Sequence, residues 1–190
     1  MRIVAGQLRG RTLETAKGHA VRPTSDRTRE ALFSILESGS LREGHNLVRG
    51  ASVLDAFAGT GALGLEALSR GAAECMFLDK NRDSLALLRR NIANLGLTAS
   101  CQLREGDALH PPTARHACGL VFLDPPYGKG LLAPAIEALR TSGWIDGDSL
   151  VVAETDGKHP EALPDGLQVL DRRRYGKAGL VFAILGDEPA

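Results

Sequence analysis

From residue 51 onward the chain alternates short apolar runs with helical patterns, and this alternation restricts its fold more than any other feature. "ASVLDAF" leads into a helical pattern from Ala62 to Ser69, "AECMFLD" into another from Arg82 to Leu95, and "ASCQLREGD" follows. "CGLVFLDPP" precedes a helical pattern near Leu131 to Thr141, and "SLVVAETD" completes the series. Strands separated repeatedly by helices form βαβ units, so they lie parallel in a sheet covered on both faces. The end breaks the pattern. "LQVLDRRRYGKAGLVFAIL" holds two strand candidates joined by "RRRYGKAG", with no room for a helix, which predicts a closing antiparallel hairpin.

Ahead of the alternating region, "RIVAGQ" and "RTLET" read as two short extended pieces around the turn-like "LRGR", followed by the Gly/Pro-punctuated link "KGHAVRP". Residues 1–23 are thus expected as a small basic β-hairpin arm and 24–190 as the main domain. "TSDRTREALFSILES" then offers Thr24, Ser25 or Asp26 as N-cap, with Ala31, Leu32, Ile35 and Leu36 at helical spacing. The 190 residues carry no net charge, but residues 1–30 hold seven Arg or Lys against three acids, a local +4 balanced by −4 in the remainder. A basic arm on an acidic body suits a polyanion met at one edge, and equally a solvated surface arm.

With 43% apolar and 24% charged residues the chain has the composition of a globular domain. No window reaches the roughly 20 apolar residues that span a bilayer, and no apolar region follows the charged start, so a cytoplasmic protein without membrane contact is expected. Cys75, Cys101 and Cys118 are odd in number and far apart, which signals neither a disulfide framework nor a zinc site; they read as buried thiols, and no metal is expected.

"VLDAFAGTGALGLEAL" places Gly59, Gly61 and Gly64 in the G-x-G-x-x-G spacing of a dinucleotide loop, at the end of the first strand where α/β sheets bind ligands. Gly59 and Gly61 permit close backbone approach, and Gly64 permits tight helix packing. Asp55 argues against a dinucleotide: its carboxylate repels a pyrophosphate and attracts an ammonium. S-adenosylmethionine carries an ammonium and a sulfonium and no phosphate. Phe57 and Ala58 belong to the same loop. Asp79 and Lys80 end the second strand, where a carboxylate accepts from ribose hydroxyls with either cofactor. Asp107 and Ala108 follow the third strand, and each acid also reads as a solvated loop residue.

The fourth strand ends in Asp124, Pro125, Pro126 and Tyr127. Methylating an amine on a planar base requires acceptors that draw the nitrogen out of ring conjugation. Asp124 Oδ and the Pro125 carbonyl are two such acceptors, with the prolines fixing the carbonyl's aim. Tyr127 offers a face on which a flipped base stacks. A lone D-P-P is also an ordinary strand stop.

These features resemble one family, the small RsmD-like methyltransferases acting on guanine N2 in 16S ribosomal RNA. The resemblance rests on "RIVAGQLRGRTL", "RPTSDRTREALFSIL", "DAFAGTGALGLEALSRGA" and "FLDPPY", and spans Arg2 to about Leu185. It implies a class I S-adenosylmethionine-dependent methyltransferase (Rossmann-like) α/β fold, with a mostly parallel seven-stranded sheet ending in an antiparallel hairpin. It also implies cofactor contacts at Asp55, Gly59, Gly61 and the acid ending strand two, with S-adenosylhomocysteine as product, and amine contacts at Asp124 to Tyr127. "FLDKN" departs from the family's longer Glu by placing Asp79 there. Arg2, Arg9 and Arg11 are candidates for RNA phosphates, as are Arg22, Arg27 and Arg29, although Arg27 and Arg29 also alternate with Asp26 and Glu30 as ion-pair partners. No family motif covers Arg172 to Arg174. The implied partner is 16S rRNA in an assembling or assembled small subunit, met by a monomer. Competing readings are an adenine-N6 DNA or glutamine-amide methyltransferase, an NAD-dependent oxidoreductase, and a non-catalytic RNA-binding module.

Overall fold

A computed structural model describes residues 1–15 and 25–186. Its helices are α1 (Asp26–Glu37), α2 (Ala62–Ser69), α3 (Arg82–Leu95) and α4 (Leu132–Thr141). Its strands are β1 (Ser52–Ala56), β2 (Glu74–Asp79), β3 (Cys101–Glu105), β4 (Leu120–Leu123), β5 (Leu150–Asp156), β6 (Leu167–Tyr175) and β7 (Ala178–Leu185). They form one seven-stranded sheet in the order β3-β2-β1-β4-β5-β7-β6. β1 to β5 pair in parallel, while β7 runs antiparallel to β5 and to β6, as the sequence pattern requires. This is the class I methyltransferase fold. The hairpin is tighter than expected: "RRRY" belongs to β6, and only Gly176 and Lys177 form the turn. Among the described residues no helix is long and apolar enough to cross a membrane.

Two apolar layers sandwich the sheet. Val53, Phe77, Phe122, Val152 and Phe182 point to the face covered by α1, α2 and α3. Leu54, Leu78, Val121, Ala153 and Val181 point to the face covered by α4 and Trp144. This alternation of side chains across the pleat explains why the parallel strands are near-continuous apolar runs. The three cysteines, distant in sequence, meet in this sheet: Cys75 pairs with Cys101 across β2 and β3, and Cys75 and Cys118 are buried. Burial pushes the Cys101 and Cys118 thiols up to about 12 and about 11. They are structural thiols, held protonated.

The N-terminal arm is a single β-bridge between Arg2 and Thr12 rather than a laddered hairpin. It is seated in the main core, with Ile3 and Leu13 buried beside Leu32, Phe33 and Leu65. Glu66, in the middle of α2 and fully buried, holds it there. Its carboxylate accepts from the Val4 N–H (2.7 Å), the Ala5 N–H (2.9 Å) and Arg70 Nε (2.9 Å). Arg70 also pairs with Glu37 of α1 (2.7 Å) and lies over the Phe33 ring. Gly6 follows at φ +80°, and a Cβ there would lie 2.0 Å from the Ser69 carbonyl oxygen, so only glycine allows the arm this close to α2. On the other side, Asn91 of α3 accepts from the Glu14 N–H (2.8 Å) and donates to the carbonyls of Glu14 and Thr60, both at 3.2 Å.

The penultimate residue of β1 is Asp55, 2% exposed, whose Oδ2 accepts from the Gly64 N–H of α2 at 2.9 Å. A Cβ on Gly64 would sit 2.4 Å from the Phe77 ring and 2.5 Å from Cys75 Sγ, so glycine lets α2 lie on β2. Burial pushes the Asp55 carboxyl up to about 7, opposed by the Gly64 N–H and reinforced by the charge of Asp79.

Two outcomes are expected. Glu66→Ala leaves Arg70 and two arm amides without their acceptor and should cost about 3–5 kcal/mol in denaturant unfolding, with hydrogen exchange at Val4 and Ala5 rising more than in the sheet. For Asp55, the unfolded carboxyl ionises near ~4 while the folded one holds its proton to about 7. The folded chain therefore binds more protons across that window, and stability falls as pH rises through it, by at most about 1.4 kcal/mol per pH unit. Asp55→Asn should remove this fall, so the difference in unfolding free energy between the two proteins should change between pH 4 and 7 and level off above.

Candidate active site

A cleft of about 510 Å³ opens beyond the carboxyl ends of β1 to β4, where a sheet of this topology binds its ligands. Phe57 and Gly59 line it from the glycine loop; Leu78, Asp79, Lys80, Asn81 and Ser84 from the β2–α3 turn; Gly106, Asp107 and Ala108 from beyond β3; and Asp124, Pro125, Pro126 and Tyr127 from beyond β4. Four segments singled out separately in the sequence thus converge on one cavity.

Its floor is built by hydrogen bonds between strand-end acids and backbone. Asp79 Oδ2 accepts from the Gly59 N–H (2.7 Å) and Oδ1 from the Asn81 N–H (2.7 Å). Asn81 in turn caps α3, accepting from the Asp83 and Ser84 N–H groups. The Ala58 N–H donates to the Leu78 carbonyl (3.1 Å), and the Gly61 N–H to the Ala58 carbonyl (2.7 Å). Phe57 is the one described non-glycine residue with positive φ, at 66°. That conformation costs about 1–3 kcal/mol, and the bonds on either side of the residue hold it.

Three predicted cofactor contacts lie elsewhere. Asp55, Ala58 and Gly61 do not line the cleft: Asp55 and Ala58 are buried, and Gly61 at φ +80° turns toward Leu88, which a Cβ would approach to 2.3 Å. Asp55 was expected to face a ligand ammonium. In the structure its Oδ2 accepts from the Gly64 N–H at the start of α2 and so ties the glycine loop to β1.

Among the described residues, the charge of the cleft is set by Asp79, Asp107 and Asp124 against Lys80. Lys80 Nζ lies 3.5 Å from Asp107 Oδ2, and the Leu109 N–H donates to Oδ1 (3.1 Å). That N–H, helped by Lys80 and His110, holds the Asp107 carboxyl below its ordinary value despite some burial. A cavity lined by three carboxylates favours a cationic ligand and repels a pyrophosphate. The N–H groups of Gly59, Gly61 and Gly64, which a phosphate loop would present, already donate to Asp79, Ala58 and Asp55. The glycine spacing is therefore that of a dinucleotide loop without its phosphate donors.

At the far wall Tyr127 is 37% exposed, and its hydroxyl donates to Oε1 of Glu154, a buried residue of β5. Burial first, then this bond and the charges of Glu154 and Asp124, push the phenol well above its ordinary value, so it stays a donor. Glu154 is not apparent from motif reading. Its signal is an acid directly after the apolar run "LVVA", within the strand and ahead of Thr155 and Asp156.

The arginines expected to meet RNA divide. Arg2, Arg9, Arg11 and Arg27 are exposed, with Arg2 paired to Asp26 at 3.1 Å and Arg11 donating to the Asn94 carbonyl at 2.6 Å. Arg29 is a correction: it is fully buried, donating to the Arg2 carbonyl (2.7 Å) and Asp26 (2.8 Å), and offers no surface to a ligand. Its guanidinium is the clasp between α1 and the arm. Arg22 and the expected boundary between residues 23 and 24 lie outside the described residues.

Comparisons with known proteins agree with this geometry. The family model described as Conserved hypothetical protein 95 matches residues 1–184. Ribosomal RNA small subunit methyltransferase D of Escherichia coli K12 is 35% identical over 82% of this chain and 75% of its own length. Its Haemophilus influenzae namesake is 32% identical over 93% of this chain and 89% of its own. Among solved structures, a hypothetical protein of Thermus thermophilus superposes with a TM-score of 0.75 at 31% identity, over 96% of this chain and 98% of that one. The chain therefore belongs to the Conserved hypothetical protein 95 family, that of the RsmD-like methyltransferases.

Proposed function

We propose that this protein transfers a methyl group from S-adenosylmethionine to the exocyclic N2 amine of a guanine in 16S ribosomal RNA, acting as a monomer on RNA shaped within the small subunit. The observation that carries the reading is the convergence of Asp124 to Tyr127 with the acid-lined glycine loop on one cleft. The relatives described as small-subunit rRNA methyltransferases support the choice of rRNA over DNA or protein.

The residues present suit this cofactor. Asp79 and Asp107 both line the cleft, and in this reading Asp79 accepts from the ribose hydroxyls and Asp107 from the adenine amine. Gly106 lets the Leu78 side chain pack against the backbone beyond β3, since a Cβ there would lie 3.0 Å from Leu78 Cδ1. When bound, S-adenosylmethionine supplies an electrophilic methyl on a sulfonium, so alignment, rather than a strong base, is the main demand on the protein. Asp124 and the Pro125 carbonyl accept from the guanine amine and bring its lone pair toward the methyl. Tyr127 stacks on the base, its ring held by the bond to Glu154. The exposed arginines of the arm meet phosphates and position the RNA without reading sequence.

The decisive experiment supplies labelled S-adenosylmethionine with small ribosomal subunits from cells lacking the protein and maps the methylated nucleotide. Label on guanine N2 of 16S rRNA is expected. Label confined to DNA, or to a release factor, overturns the reading. Asp124→Ala should lower kcat by about 10²–10³ with S-adenosylhomocysteine affinity within threefold of wild type by thermal shift. Glu154→Ala should raise KM for RNA about tenfold and leave cofactor affinity unchanged, whereas Glu154→Gln, which keeps an acceptor for the Tyr127 hydroxyl, should stay within about threefold of wild type.

A further inference from the structure

The β6–β7 hairpin brings a second basic group to the same edge as the cleft. Asp156 at the end of β5 pairs with Ala178, so the Gly176–Lys177 turn stands at the carboxyl ends of the parallel strands. Glu154, which holds Tyr127, pairs with Leu180, and Leu180 with Arg173. Arg173 thus shares a face with Glu154 two strands away, roughly 10 Å at ordinary strand spacing, while Arg172 and Arg174 on either side of it project from the opposite face of this edge strand. Arg172, Arg173, Arg174 and Lys177 are exposed, as is Lys158 in the turn after β5.

The group is built as a unit. The Gly157 N–H donates to the Lys177 carbonyl at 2.8 Å, and a Cβ on Gly157 would press within 3.1 Å of Arg174 Cγ and 3.2 Å of the Ala178 carbonyl. Asp156 Oδ1 accepts from the Lys158 N–H (2.7 Å) and the His159 N–H (3.3 Å), closing the turn. Arg173 pairs with Asp171 at 2.8 Å. Among the described residues, Arg172, Arg174, Lys177 and Lys158 have no carboxylate within ion-pair distance. In a chain without net charge, these cations are set beside a cleft lined by three carboxylates, which repel any polyanion that delivers a base into it.

We propose that the hairpin tip, through Arg172, Arg174 and Lys177, binds the phosphodiester backbone of the RNA flanking the target base, opposite the N-terminal arm. The inference rests on the rRNA methyltransferase reading. A phosphate contact there offsets the repulsion from Asp124 and holds the strand while its base enters against Tyr127. β6 is also the edge strand of the sheet, and basic residues on an edge deter pairing with other chains. The two roles make different demands, because any charge guards an edge and only a positive one binds phosphate.

The test compares Arg172→Gln/Arg174→Gln/Lys177→Gln and the corresponding Glu triple variant with a control, Arg42→Gln/Arg49→Gln/Arg115→Gln, which removes the same charge away from the hairpin. The substrate is small ribosomal subunits lacking the modification. Expected for the Gln variant are a roughly tenfold higher KM at physiological salt and a log–log salt dependence shallower by about 2. The Glu variant should be worse still, and kcat at saturation and S-adenosylhomocysteine binding should be unchanged in both. The control should stay within twofold of wild type. Wild-type KM and salt slope in the soluble Glu variant overturn the proposal in favour of edge protection, as does an equal loss in the control. A wild-type protein that transfers no methyl to rRNA sinks the functional reading, and this inference with it.

Discussion

Two strand-end carboxylates hydrogen-bonded to the backbone of one glycine loop are the constraint on which the rest of this structure depends. Asp55 bonds to the Gly64 amide from below, and Asp79 bonds to the Gly59 amide from the side. Between them Phe57 is kept in a left-handed conformation, and the Gly59, Gly61 and Gly64 amides are engaged within the protein. Two of the three glycine amides bond to these acids and the third, of Gly61, to the Ala58 carbonyl. One arrangement thus fixes the shape of the loop and draws its glycine amides away from a pyrophosphate.

The second dependence runs through buried polar groups that join distant parts of the chain. Glu66 binds the backbone of the arm and Arg70, Arg70 reaches Glu37, and Arg29 clasps Arg2. Asn91 links Glu14 to Thr60 in the glycine loop. The arm is therefore tied through Asn91 to the glycine loop that lines the cleft. A buried carboxylate needs such partners, since an unpaired one costs several kcal/mol.

Charge is distributed by edge and by depth. The carboxylates line the cleft, while the arm and the β6–β7 hairpin carry exposed cations on either side of it. An acid-lined cleft beside exposed cations attracts ligands of opposite sign to neighbouring surfaces.

Much of this was legible in the sequence. Periodicity alone located α2 and α3 to the residue, because their apolar spacing and caps are local properties, and the absence of a helix after β6 announced the hairpin. The DPPY segment and the glycine loop were readable as ligand-edge features because βαβ topology sends every strand end to one edge. The errors came from side chains whose partners are remote in sequence. Arg29 reads as an RNA contact because a charge in a motif has no depth until the sheet closes over it. Glu66, Asn91 and Glu154 went unread because their roles depend on backbone atoms or hydroxyls 27 to 77 residues away. Sequence by itself determined the order of elements, the class of sheet and the edge where ligands meet it, since these follow from local periodicity and chain chirality. Only the tertiary structure decided which charges face the cleft and which are buried beneath it, because burial and hydrogen-bond partners are set by packing between distant segments.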